Sequence, residues 1–240
     1  MIINLYFSWK TGSTFARKYF KDVCKISGIN YVHVVTNDKP KIKYNNNYCM
    51  CLYRVPNENN FNNKNKNEYN IIQLRDPRDV IVSAYYSMAY THPYGSKTEK
   101  IHESIQKQGI DSFAINKYAV TLKVFENTIN VSKKMNNINF INYSTMVLNF
   151  EQWVKQTTEH FNITSQQKNK LFETYKHEFE NINEITETEL KLINPTAKFD
   201  IKYHKRKMIP GDYKQKLKPA TVKILNDKFS NVLEFMSKIN

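Results

Sequence analysis

The stretch that decides the fold is IINLYFSWKTGSTF, which runs from Ile2 to Phe15. Its beginning, Ile2–Phe7, is a short and mostly apolar run, as expected of a buried strand. Hydroxyl residues and Gly12 dominate the part that follows, as expected of a loop. Beyond the loop, apolar side chains recur at helical spacing until Gly28, which predicts a helix that a glycine ends. These apolar positions are Phe15, Tyr19, Val23 and Ile26.

The loop is the first candidate anion site. Gly12 permits a ligand to approach the backbone closely, and Lys10 adds a positive charge. The free N–H groups at the start of the helix face whatever lies in the loop. The spacing G-x-x-x-x-G-K-[S/T] of the nucleoside-triphosphate loop is absent, so we predict a phosphate cradle of another kind. An ordinary helix start, capped by Ser13 or Thr14, is the alternative.

The rest of the chain alternates strand-like and helix-like segments. The further predicted strands are Tyr31–Thr36, Tyr48–Val55, Asn70–Leu74 and Ile138–Asn142. The further predicted helices are Val80–Met88, Phe113–Met135, Phe150–Phe161, Gln166–Phe179 and Pro219–Ile239. Asn57–Asn70, rich in Asn and Lys, is predicted to be a solvated loop. This alternation predicts an α/β fold with a parallel sheet covered on both faces, in which ligands bind beyond the carboxyl ends of the strands.

Composition excludes several classes of protein. The 240 residues carry 36 Lys and Arg against 22 Asp and Glu, a formal net charge of +14. Hydrophobic residues make up 40%, too many for a disordered chain. No apolar run is long enough to span a bilayer, and the amino terminus does not read as a signal peptide. Three cysteines without zinc-ligand spacing predict buried free thiols in a reducing, cytoplasmic compartment.

A second candidate anion site is LRDPRDVIVSAYY, from residue 74 to residue 86. Asp76 fits the N-cap of a helix, and Asp79 is placed to complete a capping box. Arg75 stands at the carboxyl end of a buried strand, where an unpaired guanidinium would be costly. Together with Ser83, two turns into the helix, Arg75 would bind a phosphate. A structural ion pair between Arg75 and Asp79 is the alternative.

The third candidate segment is KRKMIPGDYK, Lys205–Lys214. Its cations surround a Pro-Gly turn just before the last predicted helix. Charge runs are more often solvated surface than binding sites. However, the chain has only 5 glycines, and Gly12 and Gly211 both fall inside candidate anion segments, which indicates a backbone requirement at each.

Together, the three segments resemble the motifs of sulfotransferases that use 3′-phosphoadenosine 5′-phosphosulfate (PAPS). The family's first loop reads approximately YPKSGTTW and is matched from Trp9 to Phe15, with Trp9 at the position of the proline. The second motif, Arg, then Asp, then V-S-x-Y, is matched by Arg75, Asp79, Val82, Ser83 and Tyr85. The third, RKGxxGDW, is matched by Arg206, Lys207, Gly211, Asp212 and Tyr213, with Met208 replacing its first glycine. The motifs follow the family's order and span nearly the whole chain.

The resemblance implies a three-layer, P-loop-like α/β fold in a single domain over residues 1–240, with PAPS as cofactor and no metal. It implies that the sulfuryl group and the 5′-phosphate are held by Lys10, Thr11, Gly12, Ser13 and Thr14. It assigns the 3′-phosphate to Arg75, Ser83, Arg206 and Lys207. Phe15 stands where the family places an aromatic ring against adenine, and Tyr143 lies in a segment that resembles the family's Y-E-D-L. Core packing is the alternative for both rings.

The catalytic base is not evident from the sequence. Cytosolic members of the family place a histidine after the third strand, where this chain has Arg54, and arginine cannot act as a base at neutral pH. His33 and Asp38, in and after the second strand, and His92 in the predicted acceptor loop are the remaining candidates. The apolar neighbours of His33 favour a core position. Asp38 lies next to Asn37 and Pro40, which favours a turn.

The sequence therefore predicts a cytoplasmic sulfotransferase that moves a sulfuryl group from PAPS to a hydroxyl or amine of a small-molecule or glycan acceptor, and releases the desulfated cofactor PAP. We expect neither a nucleic-acid nor a membrane partner. Lys10 would stabilise the charge that develops on the leaving oxygen. Acceptor selection is predicted in Tyr85–Tyr94, in the Asn-rich loop and near Pro195–Tyr203. The alternatives are a P-loop-like nucleotide kinase, a basic nucleic-acid-binding protein and a non-catalytic sulfotransferase-like binder.

Overall fold

Five parallel strands form the central sheet of the computed structural model, which describes residues 1–34, 47–52, 56, 67–180 and 209–239. The strands are β1 (Ile2–Phe7), β2 (Asn30–Val34), β3 (Tyr48–Leu52), β4 (Glu68–Leu74) and β5 (Ile138–Asn142). Their order in the sheet is β2-β3-β1-β4-β5. The predicted parallel sheet is confirmed.

The strand order creates a switch point at β1. The chain leaves β1 towards β2 on one side and later returns to pair β4 with the other side of β1. In parallel sheets, ligands bind at such a point, in the crevice beyond the carboxyl ends of the strands. The loop after β1 and the segment after β4 therefore meet at the same edge of the sheet.

Helices cover both faces of the sheet. The helices that precede β5 in the chain are α1 (Ser13–Ser27), α2 (Pro77–Tyr86), α3 (Thr98–Gln108) and α4 (Ile110–Ser132). A π-helical turn, Ser87–Thr91, continues α2, and a 3₁₀ turn, Gly95–Lys97, precedes α3. The helices that follow β5 in the chain begin with α5 (Tyr143–Leu148), α6 (Phe150–Thr157), α7 (Ser165–Tyr175) and α8 (His177–Glu180). The helices of the last described range, residues 209–239, are α9 (Tyr213–Lys216), α10 (Pro219–Lys228) and α11 (Ser230–Ser237).

Alternate side chains of β1 lie in two different cores, which makes the fold three-layered. Ile3 and Leu5 pack with α1 and α6 in one core cluster. Ile2 and Tyr6 pack with α4 and α11 in another. Both sets are buried because each face of the sheet is covered, so β1 reads as a continuous apolar run with a single polar interruption, Asn4.

The predicted segments differ from the observed ones mainly at their ends. The strand predicted from Asn70 begins at Glu68, because pairing with β1 extends to the start of that strand. The single helix predicted over Pro219–Ile239 is two helices with Phe229 between them. α3, α5 and α9 were not predicted; α5 is a short helix whose apolar side chains fill the core beneath the loop after β1.

Several predictions fall outside the described residues. They concern most of the Asn-rich loop, the strand ends beyond Val34 and Leu52, and the segment Pro195–Tyr203. Within the ranges that the structure describes, no helix has the length and apolar character needed to cross a membrane.

Candidate active site

The loop between β1 and α1 turns sharply through two residues with left-handed backbone. Lys10 has φ 67° and Gly12 has φ 84°. A positive φ is unfavourable for lysine, costs on the order of 1–3 kcal/mol, and is concentrated at functional sites. Gly12 is the N-cap of α1, and no described side chain caps this helix. The alternative that Ser13 or Thr14 caps α1 is therefore wrong, and the N–H groups of its first turn remain available to a ligand.

The loop is held from below by a buried chain of hydrogen bonds. Gln73 of β4 donates its side-chain N–H to the carbonyl of Thr11. The indole N–H of Trp153 in turn donates to Oε1 of Gln73 at 2.8 Å. Gln73 and Trp153 are both fully buried, so an unpaired amide here would be costly. Sequence reasoning missed Gln73; a lone glutamine in the apolar run of β4 was the signal.

Gly12 is favoured by its backbone angle, and the space beside it is also narrow. A Cβ atom on this residue would lie 2.7 Å from Cε of Met146 and 3.4 Å from Cε2 of Tyr143. Both side chains come from α5, which packs against the loop. The predicted need for glycine at this position is confirmed.

Arg75 joins the second segment to the loop. It follows β4, is 6% exposed, and donates from Nη1 to the carbonyl of Lys10 at 2.9 Å. The Cζ atom of Arg75 lies 4.2 Å from the centroid of the Tyr143 ring. Among the described residues, its Nε has no hydrogen-bond partner. A buried guanidinium with an open donor is suited to an anionic ligand.

Asp79 has a different role from either predicted one. Its carboxylate accepts from the backbone N–H of Gly211 at 2.7 Å and of Tyr213 at 3.0 Å. It neither completes a capping box nor forms a described ion pair with Arg75, so both of those predictions are wrong. Burial raises the pKa of Asp79, although the two N–H donors and the charge of Arg75 favour its ionised form. Asp79 therefore ties the turn at Gly211 to the start of α2.

The start of α2 makes a second contact with that turn. Asp76 is the N-cap, as predicted, and accepts from the N–H of Arg78 at 2.9 Å. The Arg78 guanidinium is also bonded to Asp76 and lies 4.1 Å from the centroid of the Tyr213 ring. The described part of the third segment is thus packed against the second. Arg206 and Lys207 lie outside the described residues.

A cavity of about 310 Å³ lies between α2, the end of β5, the Gly211 turn and α11. Arg75 forms part of its wall, so the cavity adjoins the junction between the loop and the second segment. Further wall residues are Asp79, Tyr143, Ser144, Gly211 and Met236.

The two predicted adenine contacts are both packed against other side chains. Tyr143 is 3% exposed and lies between Arg75 and the loop. Phe15 is partly buried among rings of α1, α6, α7 and α8. Its ring neighbours, at centroid distances of 4.8–6.1 Å, are Tyr19, Phe150, Trp153, Tyr175 and Phe179. Contacts with other side chains cover much of the surface of both rings. Their contact with adenine stays a prediction. Ser83 is partly buried in α2.

Among the candidate bases, the structure describes His33 and His92. His33 is exposed on β2, at the edge of the described sheet, so the predicted core position is wrong. Burial, followed by the nearby charge of Arg17, lowers the pKa of His33. His92 is exposed, and its carbonyl lies 2.9 Å from Nε2 of His102. Asp38 and Arg54 lie outside the described residues.

Comparison with known proteins places the chain in a family. The sequence matches the sulfotransferase domain model over residues 57–238, and the chain belongs to the sulfotransferase domain family. No curated protein matches the chain significantly in sequence. The predicted family and enzyme class are confirmed.

Solved structures show the same fold at low sequence identity. Mouse sulfotransferase SULT7A1, crystallised with PAP, is 15% identical with a TM-score of 0.61, and the alignment covers 96% of this chain and 82% of that one. Retinol dehydratase, crystallised with androsterone and the inactive cofactor PAP, is 10% identical with a TM-score of 0.60, over 96% and 80% of the two chains. The predicted P-loop-like α/β architecture is confirmed.

Proposed function

We propose that this protein transfers a sulfuryl group from PAPS to a hydroxyl or amine of a small-molecule or glycan acceptor and releases PAP. One observation carries the proposal: the hydrogen bond from Arg75 to the carbonyl of Lys10. It unites two distant motifs in one cationic site at the switch point of the sheet. The structural relatives described above were crystallised with PAP, which supports the choice of cofactor.

The loop after β1 is suited to the 5′-phosphate and the sulfuryl group. The uncapped first turn of α1 presents backbone N–H groups, and the helix dipole favours negative charge there. Thr11 is buried and donates its hydroxyl to the carbonyl of Ser8 at 2.6 Å, which fixes the loop conformation. We assign the 5′ end of the cofactor to Lys10, Thr11, Gly12, Ser13 and Thr14.

The second and third segments are suited to the 3′-phosphate. Arg75 contributes a buried Nε that has no hydrogen-bond partner among the described residues, and we assign Ser83, Arg206 and Lys207 to the same group. Lys207 is only four positions before Gly211, whose N–H is fixed on Asp79. The short connection supports the assignment, because a chain spans at most about 3.6 Å per residue. A 3′-phosphate would distinguish PAPS from ATP. We further propose that Phe15 and Tyr143 contact the adenine.

The reaction is an in-line displacement at sulfur. The acceptor oxygen or nitrogen forms a bond to sulfur while the bond from sulfur to the bridging oxygen of the cofactor breaks, and a base takes the acceptor proton. Negative charge develops on the leaving phosphate of PAP, where the Lys10 ammonium stabilises it. No metal ion is part of this proposal.

We propose His33 as the base. It pairs in register with Cys51, which pairs with Leu5, so its side chain shares the sheet face of Leu5 and α1. It also stands next to the carboxyl end of β2. With its pKa lowered below 6.5, the imidazole is neutral at pH 7 and accepts a proton. Asp38 and His92 remain the alternative bases.

Two coarser features complete the proposal. We propose that residues 1–240 form a single domain, because the first and last described elements share one core: Ile2 of β1 packs in the cluster that contains Met236 of α11. A reducing, cytoplasmic location is supported by Cys24 and Cys49, which are buried free thiols.

The decisive experiment is transfer of labelled sulfate from PAPS to a panel of phenols, alkanols, amines and glycans. We expect labelled product with at least one acceptor and stoichiometric formation of PAP. Binding of PAP without transfer to any acceptor would instead indicate a non-catalytic binder. Stabilisation by ATP and Mg²⁺ but not by PAP would favour the nucleotide kinase.

A further inference from the structure

We propose that Trp9 is the platform on which the acceptor stacks, so that the enzyme selects a hydroxyl carried by a ring with an exposed apolar face. The inference rests on the proposed function and names the acceptor chemistry of the same site. Trp9 has no role in the sulfuryl transfer proposed for this protein.

Trp9 is exposed where most large apolar side chains are buried. It is 52% exposed, whereas the only other tryptophan, Trp153, is fully buried and hydrogen-bonded to Gln73. Single exposed apolar side chains are common on protein surfaces and need no explanation by themselves. Trp9 lies in the loop that holds the reacting group. In this it differs from the other exposed large apolar side chains among the described residues, which are Val120, Leu148 and Ile224.

The position of the indole next to Lys10 brings it within reach of an acceptor. The Nζ atom of Lys10 lies 5.7 Å from the centroid of the Trp9 ring. A nucleophile must approach the reacting atom to about 3–3.5 Å before displacement. Lys10 acts at the leaving oxygen of that same group, so the indole lies close to the reacting centre, and we place the ring that carries the attacking hydroxyl against it.

The chemistry of the indole selects flat partners. Aromatic rings prefer offset stacking or edge contacts at centroid distances of about 4.5–7 Å. An aryl alcohol and the C–H face of a pyranose both offer such a surface, whereas a linear alkanol does not. The matching family motif has proline here, so the large platform is a feature of this chain.

A spectroscopic titration tests the contact without relying on turnover. The sequence has 2 tryptophans, so protein labelled with fluorotryptophan gives two fluorine resonances, and Trp9→Phe assigns them. With PAP bound, 4-methylphenol or methyl glucopyranoside should shift the Trp9 resonance and leave that of Trp153 unchanged. The probe that gives the larger shift shows whether the preferred acceptor ring is aryl or sugar. The proposal is overturned if neither ring probe shifts the Trp9 resonance, or if 1-butanol shifts it equally.

Kinetics test whether the contact determines specificity. Trp9→Leu should raise KM for the ring acceptor about tenfold, equivalent to about 1.4 kcal/mol, with PAP affinity and kcat/KM for 1-butanol unchanged. Trp9→Phe should recover most of the loss. Val120→Ala, at a side chain 65% exposed in α4, is the matched control and should behave like wild type.

Two outcomes separate this proposal from the function on which it rests. An equal loss for ring and linear acceptors would mean that Trp9 only positions Lys10, and would overturn the platform. Absence of transfer by the wild-type protein would contradict the proposed function, while the resonance titration would still decide whether the indole binds ring ligands.

Discussion

At the scale of single residues, the site depends on charged groups placed where water is scarce. Arg75 is almost fully buried. Its guanidinium donates a hydrogen bond to the Lys10 carbonyl and lies over the Tyr143 ring. A buried charge is tolerated only when its donors have partners, and an anionic cofactor would supply the missing one. Lys10 has an unfavourable backbone angle, and its ammonium group lies over the ring of the neighbouring Trp9.

Replacing Lys10 should separate chemistry from cofactor binding. Lys10→Ala is expected to lower kcat about 10²–10³-fold, the cost of losing one preorganised donor at a developing charge. PAP should still bind, because the N–H groups of α1 and Arg75 remain. Alanine keeps the unfavourable positive φ, so Lys10→Gly is the control for backbone strain and should be equally inactive. Lys123→Ala, at an exposed lysine of α4, should retain full activity; undiminished turnover of Lys10→Ala would refute the role of Lys10.

The pH dependence of the reaction should identify the base. A neutral imidazole is required, so activity is present above its pKa and lost as the pH falls through it. Because the pKa of His33 is below 6.5, kcat/KM should fall only at pH values below 6.5. His33→Gln should remove this acidic limb and lower kcat/KM about 10²-fold or more. His92→Gln is the matched control; loss of the limb in that variant instead would identify His92 as the base.

At the scale of elements, the junction of α2 with the Gly211 turn positions the third segment. The first two segments are adjacent because they follow the neighbouring strands β1 and β4. The third segment follows far along the chain, and its described part, from residue 209 onward, does not follow a described strand. Asp79 supplies the connection through two backbone N–H groups, and Arg78 adds a contact with the Tyr213 ring. Gly211 has φ 88°, which permits the turn that aims both N–H groups at one carboxylate.

Breaking this junction should weaken both cofactor binding and the stability of the fold. Asp79→Asn replaces one acceptor oxygen by an N–H donor that opposes a backbone N–H. We expect the free energy of unfolding to fall by about 1–3 kcal/mol and PAP affinity to fall about tenfold. Calorimetry and PAP titration measure the two effects.

Asp111→Asn is the matched control for that junction. The Asp111 carboxylate also accepts a backbone N–H, that of Lys218 at 2.9 Å, but at an exposed helix start. PAP affinity should be unchanged in this variant. If Asp79→Asn leaves PAP affinity intact as well, the turn does not position the third segment.

At the scale of the whole molecule, the strand order decides where the first two segments meet. β1 and β4 are neighbours in the sheet, and their carboxyl ends carry Lys10 and Arg75 respectively. The core clusters on both faces fix the sheet, and α11 returns to pack against it beside the cavity. Cofactor binding should therefore stabilise the entire fold rather than a single loop.

Thermal unfolding tests this coupling. A ligand at one hundred times its Kd stabilises the folded state by about 2.7 kcal/mol, and each kcal/mol shifts the Tm of a domain of this size by about 2–4 °C. PAP at that excess should raise the Tm by about 5–11 °C, whereas AMP, which lacks the 3′-phosphate, should have a much smaller effect at the same concentration. Equal shifts by PAP and AMP would show that no 3′-phosphate site exists.

The sequence alone determined the local features whose cause is local. The apolar run of β1, the glycine of its loop and the N-cap of α2 follow from backbone preference and periodicity, and all three were predicted. The order and spacing of three motifs were sufficient to predict the family. Helix ends and the short α5 were missed, because packing rather than propensity sets them; α3, which has no buried side chain, was missed as well.

Only the tertiary structure decided the contacts between residues that lie far apart in the chain. Gln73 under the loop, Asp79 on the Gly211 turn and the exposure of His33 each depend on which elements lie side by side. A carboxylate near a helix start can cap, pair with arginine or bind distant N–H groups, and these options have similar energies in the isolated segment. The fold chooses among them, because only the packed molecule brings a particular donor within hydrogen-bond distance.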